Sequence, residues 1–132
     1  MKKLTLLITL TVSMMFSPVC WGEWVEVSKS VDGDSYYVDF DRIRQHEGYV
    51  YYWGMVDYLT PLRDGTMSVK THFQGECAMF RFKDLSYTFY KEPMGGGTPK
   101  QHNTPDTTWT YALPDSNIKK VLKSVCDSVK TK

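Results

Sequence analysis

Three cysteines, three histidines and a glycine run are the residues of this chain whose types could support chemistry. Cys20, Cys77 and Cys126 could serve as nucleophiles, metal ligands or halves of a disulfide. A zinc site needs ligands in close-spaced pairs, and His46, His72 and His102 stand far apart with no such partner. The run PMGGGTPK (residues 93–100) has glycines but lacks the Gly-Lys-Ser/Thr order and following helix of a phosphate loop, so it reads as a connection. No Gly-x-Ser-x-Gly elbow occurs. Asp39 and Asp41, two apart in a turn, suggest capping before acid–base work. The sequence therefore predicts no catalytic residue, no metal ligand set and no cofactor.

The cysteines acquire a role from the chain's start. Lys2 and Lys3 precede an uncharged run from Leu4 to Phe16, then Pro18 and small residues. This is the layout of a secretory signal peptide, with cleavage expected after Gly22. A spanning helix needs roughly 20 apolar residues, so no transmembrane segment is predicted. The division is a signal peptide over 1–22 and one domain over 23–132, with the chain exported to the periplasm or cell surface. Cleavage discards Cys20 and leaves Cys77 and Cys126 in an oxidising compartment, where a single pair of cysteines is expected to join. Export also removes two of 16 basic residues and no acidic one, so 14 stand against 15, a net charge of −1. That balance argues against a nucleic-acid partner.

The elements that position these residues are mostly strands. Glu23–Val27, Ser35–Val38, Tyr49–Tyr58, Met67–Cys77 and Met79–Tyr90 alternate or are β-rich, and Trp109–Ala112 adds a short sixth. Asp39–Arg44 is expected to form a single helical turn capped by Asp39. Along Tyr49–Tyr58 both faces are apolar, which predicts a central strand, and Gly54 marks a bulge or a close approach. Cys77 shares the core face with Val69, Thr71 and Phe73, whereas His72 is expected to face solvent. Phe80 and Phe82 differ in parity from Leu85, Tyr87 and Phe89, so a bulge is expected near Lys83-Asp84. Lys91–Thr107 reads as a long polar loop, functional or mobile. From Pro114 a helix begins, capped by Asp115 or Ser116, with Ile118, Val121, Leu122, Val125, Cys126 and Val129 on one apolar stripe. Both cysteines thus lie on buried faces, and a Cys77–Cys126 bond would fasten the helix across the sheet.

Aromatic residues crowd the first half: Tyr36, Tyr37, Tyr49, Tyr51, Tyr52 and Trp53. Most are expected to fill the core. One helix covers one face of a sheet, however, and aromatics on the other face form an interaction surface. Tyr49, Tyr51 and Trp53 are the candidates for it, with a ligand or a second copy as the occupant.

The segments EWVEV, YYVDFDRIR, VYYWGMVDY, ECAMFRFKDLSYTFYKEPMGGG and WTYALPDSNIKKVLKSVC together resemble, in order, the surface-adhesin protein E family of Gram-negative bacteria. The resemblance implies an α+β fold: a flattened antiparallel sheet of about six strands, with a C-terminal helix fastened to its concave face by Cys77–Cys126. It also implies binding of host extracellular-matrix and serum proteins by displayed members. Cys20, preceded by Ser17-Pro18-Val19 and followed by Trp21, departs from the box that lipid-anchors such adhesins. The leading expectation is an exported, non-enzymatic module that binds a protein or small ligand. A displayed host-matrix adhesin is the alternative, and a small periplasmic enzyme using the 91–107 loop is the alternative from another class.

Overall fold

The computed structural model describes residues 23–102 and 108–130. The expected signal peptide, Cys20 and the end of the 91–107 loop lie outside the described residues. The elements are β1 (Trp24–Lys29), β2 (Ser35–Asp39), β3 (Arg44–His46), β4 (Tyr49–Asp57), β5 (Ser68–Glu76), β6 (Arg81–Tyr90), β7 (Lys100–His102), β8 (Thr110–Tyr111) and α1 (Asn117–Lys130). Every strand pairing is antiparallel, in the order β1-β2-β4-β5-β6-β7. Two short strands lie off this path. β3 pairs with the start of β4 and β8 with the start of β6.

The three long strands β4, β5 and β6 form the frame. Alternation sends Val50 and Tyr52 of β4, and Phe73 of β5, to one face. Phe82 of β6 joins them there, and the helix covers all four. On α1, Val121, Leu122, Val125 and Cys126 are buried, so the stripe read from spacing is the packed one. Each such aliphatic side chain stabilises the fold by roughly 1.5–3 kcal/mol. Ser116 caps the helix, its Oγ accepting from the Lys119 N–H at 3.2 Å. Asp115 is instead in the left-handed region at φ 60°. The Ser28 hydroxyl donates to Asn117 Oδ1 at 2.5 Å and ties β1 to the first residue of the helix.

The disulfide joins Cys77 to Cys126, with Cα atoms 5.8 Å apart and a sequence separation of 49. It fastens the chain just after β5 to the last turns of α1. Two glycines let the layers approach. At Gly75 a Cβ would lie 2.9 Å from Leu122 Cδ1, and at Gly54 one would lie 2.9 Å from Phe73 Cε2. Gly54 therefore marks a close approach, not a bulge, since the β4 ladders run in unbroken register. The β6 irregularity falls opposite His72/Phe73 and leaves Leu85 as the extra residue, next to the position that parity indicated.

The 91–107 loop is more structured than its composition suggests. Pro93–Gly95 forms a 3-10 turn and Lys100–His102 is β7. The turn is held against the sheet face opposite the helix. There the Ser68 hydroxyl donates to the Glu92 carbonyl at 2.7 Å and accepts from the Gly95 N–H at 2.8 Å. Asp57 accepts from the Met94 N–H at 2.8 Å. Gly95 has φ 72° and lies against Lys70, so the first of the three glycines is a structural requirement of this lid over one end of the sheet.

Candidate functional site

The sheet's other face, hereafter the open face, is built from the positions that alternate with the core. β4 presents Tyr49, Tyr51, Trp53 and Met55 there, and β5 presents Lys70, His72, Gln74 and Glu76. Of the first-half aromatics only Tyr52 is a fully buried core residue, with Tyr36 packed beside it. The expectation that most of them fill the core is thus corrected. β4 is the middle of the sheet, and its odd positions have no helix above them.

At the centre of the open face the Trp53 and His72 rings stack, with centroids 4.5 Å apart and planes 10° from parallel. The cause is register: Trp53 and His72 are directly opposed across β4 and β5. Tyr51, diagonal to His72 across the two strands, is a second ring near it, at 6.5 Å. His72 is therefore half-buried beside rings, not solvated as the alternation implied. Burial first, and the Arg44 guanidinium second, hold its pKa below the ordinary histidine value, so it is neutral at physiological pH. Arg44 reaches this place because β3 pairs with β4, setting Arg44 opposite Tyr51. Arg44, Gln45, His46, Tyr51 and His72 together line a cleft of about 270 Å³.

Cations and rings alternate on either side. Lys70 Nζ lies 5.0 Å from the Tyr90 centroid and 5.5 Å from that of Trp24. Burial, then the Arg42 charge, lowers its pKa. Beyond Tyr51, Tyr49 stacks on Trp109 at 5.5 Å. Trp109 in turn carries Lys83 at 4.5 Å and Arg81 at 4.4 Å. Such contacts are each worth roughly 0.5–2 kcal/mol and keep long side chains laid flat over the rings. The result is a basic and aromatic band across a chain whose overall charge is near neutral. A second cleft, of about 290 Å³, lies between Asp64, Phe89, Lys91, Lys100 and His102. There Lys91 donates to the Asp64 carbonyl. Among the described residues, no group of three His, Cys, Asp or Glu is placed to hold a metal ion.

A family model, Surface-adhesin protein E, matches residues 24–127, which is every element from β1 to most of α1. The chain belongs to the surface-adhesin protein E family. Its fold is similar to that of protein E of Haemophilus influenzae. One crystal form superposes with a TM-score of 0.62 at 19% identity, covering 80% of this chain and 87% of that one. The protein from a non-typeable strain gives 0.61 at 18%, covering 87% and 82%. No individual curated protein matches the chain in sequence.

Within this adhesin-E fold, the residues singled out from sequence land as follows. Cys77 and Cys126 are bonded. Tyr49, Tyr51 and Trp53 share one face, each half-buried by a neighbour from another element. Asp39 caps the 3-10 turn Phe40–Arg42, accepting from the Asp41 N–H at 3.1 Å, and pairs with Arg42 at 3.3 Å. Arg44, His72, Lys70, Lys83 and Trp109 were not legible as members of the site. The alternation of Lys70, His72 and Gln74 placed them on the right face, but which of them meets Trp53 depends on register. Arg44 needed β3, a polar three-residue strand with no periodic pattern. Trp109 is brought to Tyr49 by the pairing of β8 with β6, which spacing does not reveal. No helix among the described residues is long and apolar enough to cross a membrane.

Proposed function

We propose that this chain is an exported, non-enzymatic binding module of the surface-adhesin E type, and that its open face is the surface that engages a partner. The observation that carries this reading is the band of half-buried rings interleaved with cations around Tyr51, Trp53 and His72, on the face that the helix leaves uncovered. Rings held edge by edge in a sheet are pre-organised, so binding immobilises few new side chains. Aromatic and arginine residues are also those that dominate interface energetics. Family membership supports an adhesin-like role, and the disulfide suits an oxidising compartment outside the cytoplasm. The partner is a protein, met in the periplasm or at the cell surface.

The test is migration of the native chain in extract from a Gram-negative host, compared with a Tyr49→Thr/Tyr51→Thr/Trp53→Thr variant that retains its melting temperature. Wild type is expected in a complex larger than the free domain and the variant as the free domain. Equal migration of the two would overturn the assignment of this face.

A further inference from the structure

The other arginines of the open face are neutralised within the chain: Arg42 by Asp39 at 3.3 Å and Arg81 by Glu76 at 3.0 Å. Arg44 is not. Among the described residues its side chain has neither an ion pair nor a hydrogen bond, although it lines a cleft. The charged and titratable groups around His72 are Arg44 and His46 from β3, Lys70 on its own strand and Lys83 from β6. The carboxylates nearest to Arg44 in sequence, Asp41 and Glu47, form no ion pair with it, and Glu47 instead lies 3.7 Å from His46 Nε2. The cleft is thus an uncompensated positive site with flat apolar walls.

We infer that this cleft receives the side-chain carboxylate of an acidic residue on the partner polypeptide, with Arg44 as counter-ion and the rings of Tyr51 and His72 as walls, the latter backed by Trp53. The planar guanidinium fork matches a carboxylate's two oxygens. With His72 neutral, the single charge of Arg44 suits a monoanion better than a phosphate dianion. At about 270 Å³ the cleft is smaller than the roughly 300–1,000 Å³ of most small-molecule sites, which suits one side chain. β3 pairs with β4 on one side only, so among the described residues its other edge leaves backbone donors and acceptors beside the cleft, where a second polypeptide can meet them. This inference rests on the proposed use of the open face and adds the chemistry of what binds there.

The test is an NMR titration of the purified oxidised chain with N-acetyl-glutamate methylamide, its glutamine counterpart and methyl glucuronide. The glutamate probe is expected to shift the His72 Cε1–H and Trp53 Nε1–H signals and to saturate in the millimolar range. The glutamine probe should bind at least about tenfold more weakly, a difference of roughly 1.4 kcal/mol. Arg44→Gln should bring the glutamate probe down to the glutamine level, while Arg63→Gln, in an exposed turn, leaves it unchanged. Saturation should also raise the His72 titration midpoint, because the bound anion offsets the Arg44 charge. Equal binding of the two amide probes, no shift at either ring, or full retention in Arg44→Gln would overturn the inference. Tighter binding of the glucuronide would overturn the polypeptide source and assign the carboxylate to a sugar. None of these outcomes bears on native migration, so a failure here is distinguishable from a failure of the open-face reading.

Discussion

Removing the disulfide should cost this domain a large share of its stability while leaving its fold in place. Cys77 and Cys126 are 49 residues apart in sequence, and chain-entropy reasoning gives about 4 kcal/mol for closing a loop of that length. The family domain spans residues 24–127, a length for which total stability is of the order of 5–15 kcal/mol. An unfolding entropy of about 2.1 cal/mol/K per residue then converts the loss into a fall in Tm on the order of 15 °C. A Cys77→Ala/Cys126→Ala variant is the right perturbation. Cys126 is 2% exposed, so a serine there would add the separate cost of a buried hydroxyl. Val121, Leu122 and Val125 are buried beside it and keep the helix docked without the bond. Circular dichroism melts of the oxidised chain, the reduced chain and the variant measure the effect. The reduced chain and the variant should melt close together, both well below the oxidised form. A drop of less than about 5 °C would refute the reasoning, because packing alone would then be holding the helix.

Five further outcomes are expected. Gly75→Ala places a Cβ within 2.9–3.1 Å of Leu122, Val50 and Tyr52 and should destabilise by about 1–3 kcal/mol in chemical denaturation; a neutral result would show that the sheet and helix can separate there at no cost. Ser68→Ala leaves the Gly95 N–H without its acceptor and should release the 92–97 turn, read as faster hydrogen exchange there with β5 and β6 unchanged. Ser116→Ala should cost about 1 kcal/mol through loss of the helix cap, measured by thermal melting. His72 has a folded-state pKa below the unfolded value near 6.5, so the unfolded chain takes up the proton first as pH falls. Its contribution should therefore be constant above that value and be lost progressively below it, until the folded pKa is passed. Arg44→Gln removes the second cause of the depression and should raise the His72 midpoint in an NMR titration.

Long elements were legible where hydrophobic period and parity carried them. β4 and β5 read correctly because Val50, Tyr52, Val69, Thr71 and Phe73 alternate without interruption, and α1 because its stripe is continuous from Ile118 to Val129. The parity break in β6 located its extra residue to within about two positions. β3 and β7 were missed for one reason. Arg44-Gln45-His46 and Lys100-Gln101-His102 are polar edge strands whose pairing is decided by their neighbours, not by their own pattern. The site suffered in consequence. Tyr49, Tyr51 and Trp53 were visible as one face, but Arg44 entered only with β3, and His72 became a stacking partner only through the β4–β5 register. The 93–97 stretch looked like a free connection because nothing in its composition announces that Ser68 and Asp57 hold it down.

The claim that matters most is that the open face, and not the helix surface, meets a partner. Site-specific photo-crosslinking in living Gram-negative cells addresses it directly, with a photoreactive residue replacing Tyr51 in one strain and exposed Lys120 of α1 in another. The account predicts a discrete protein adduct from position 51, lost when Arg44→Gln is added, and none from position 120. An adduct from the helix with none from the open face would contradict it.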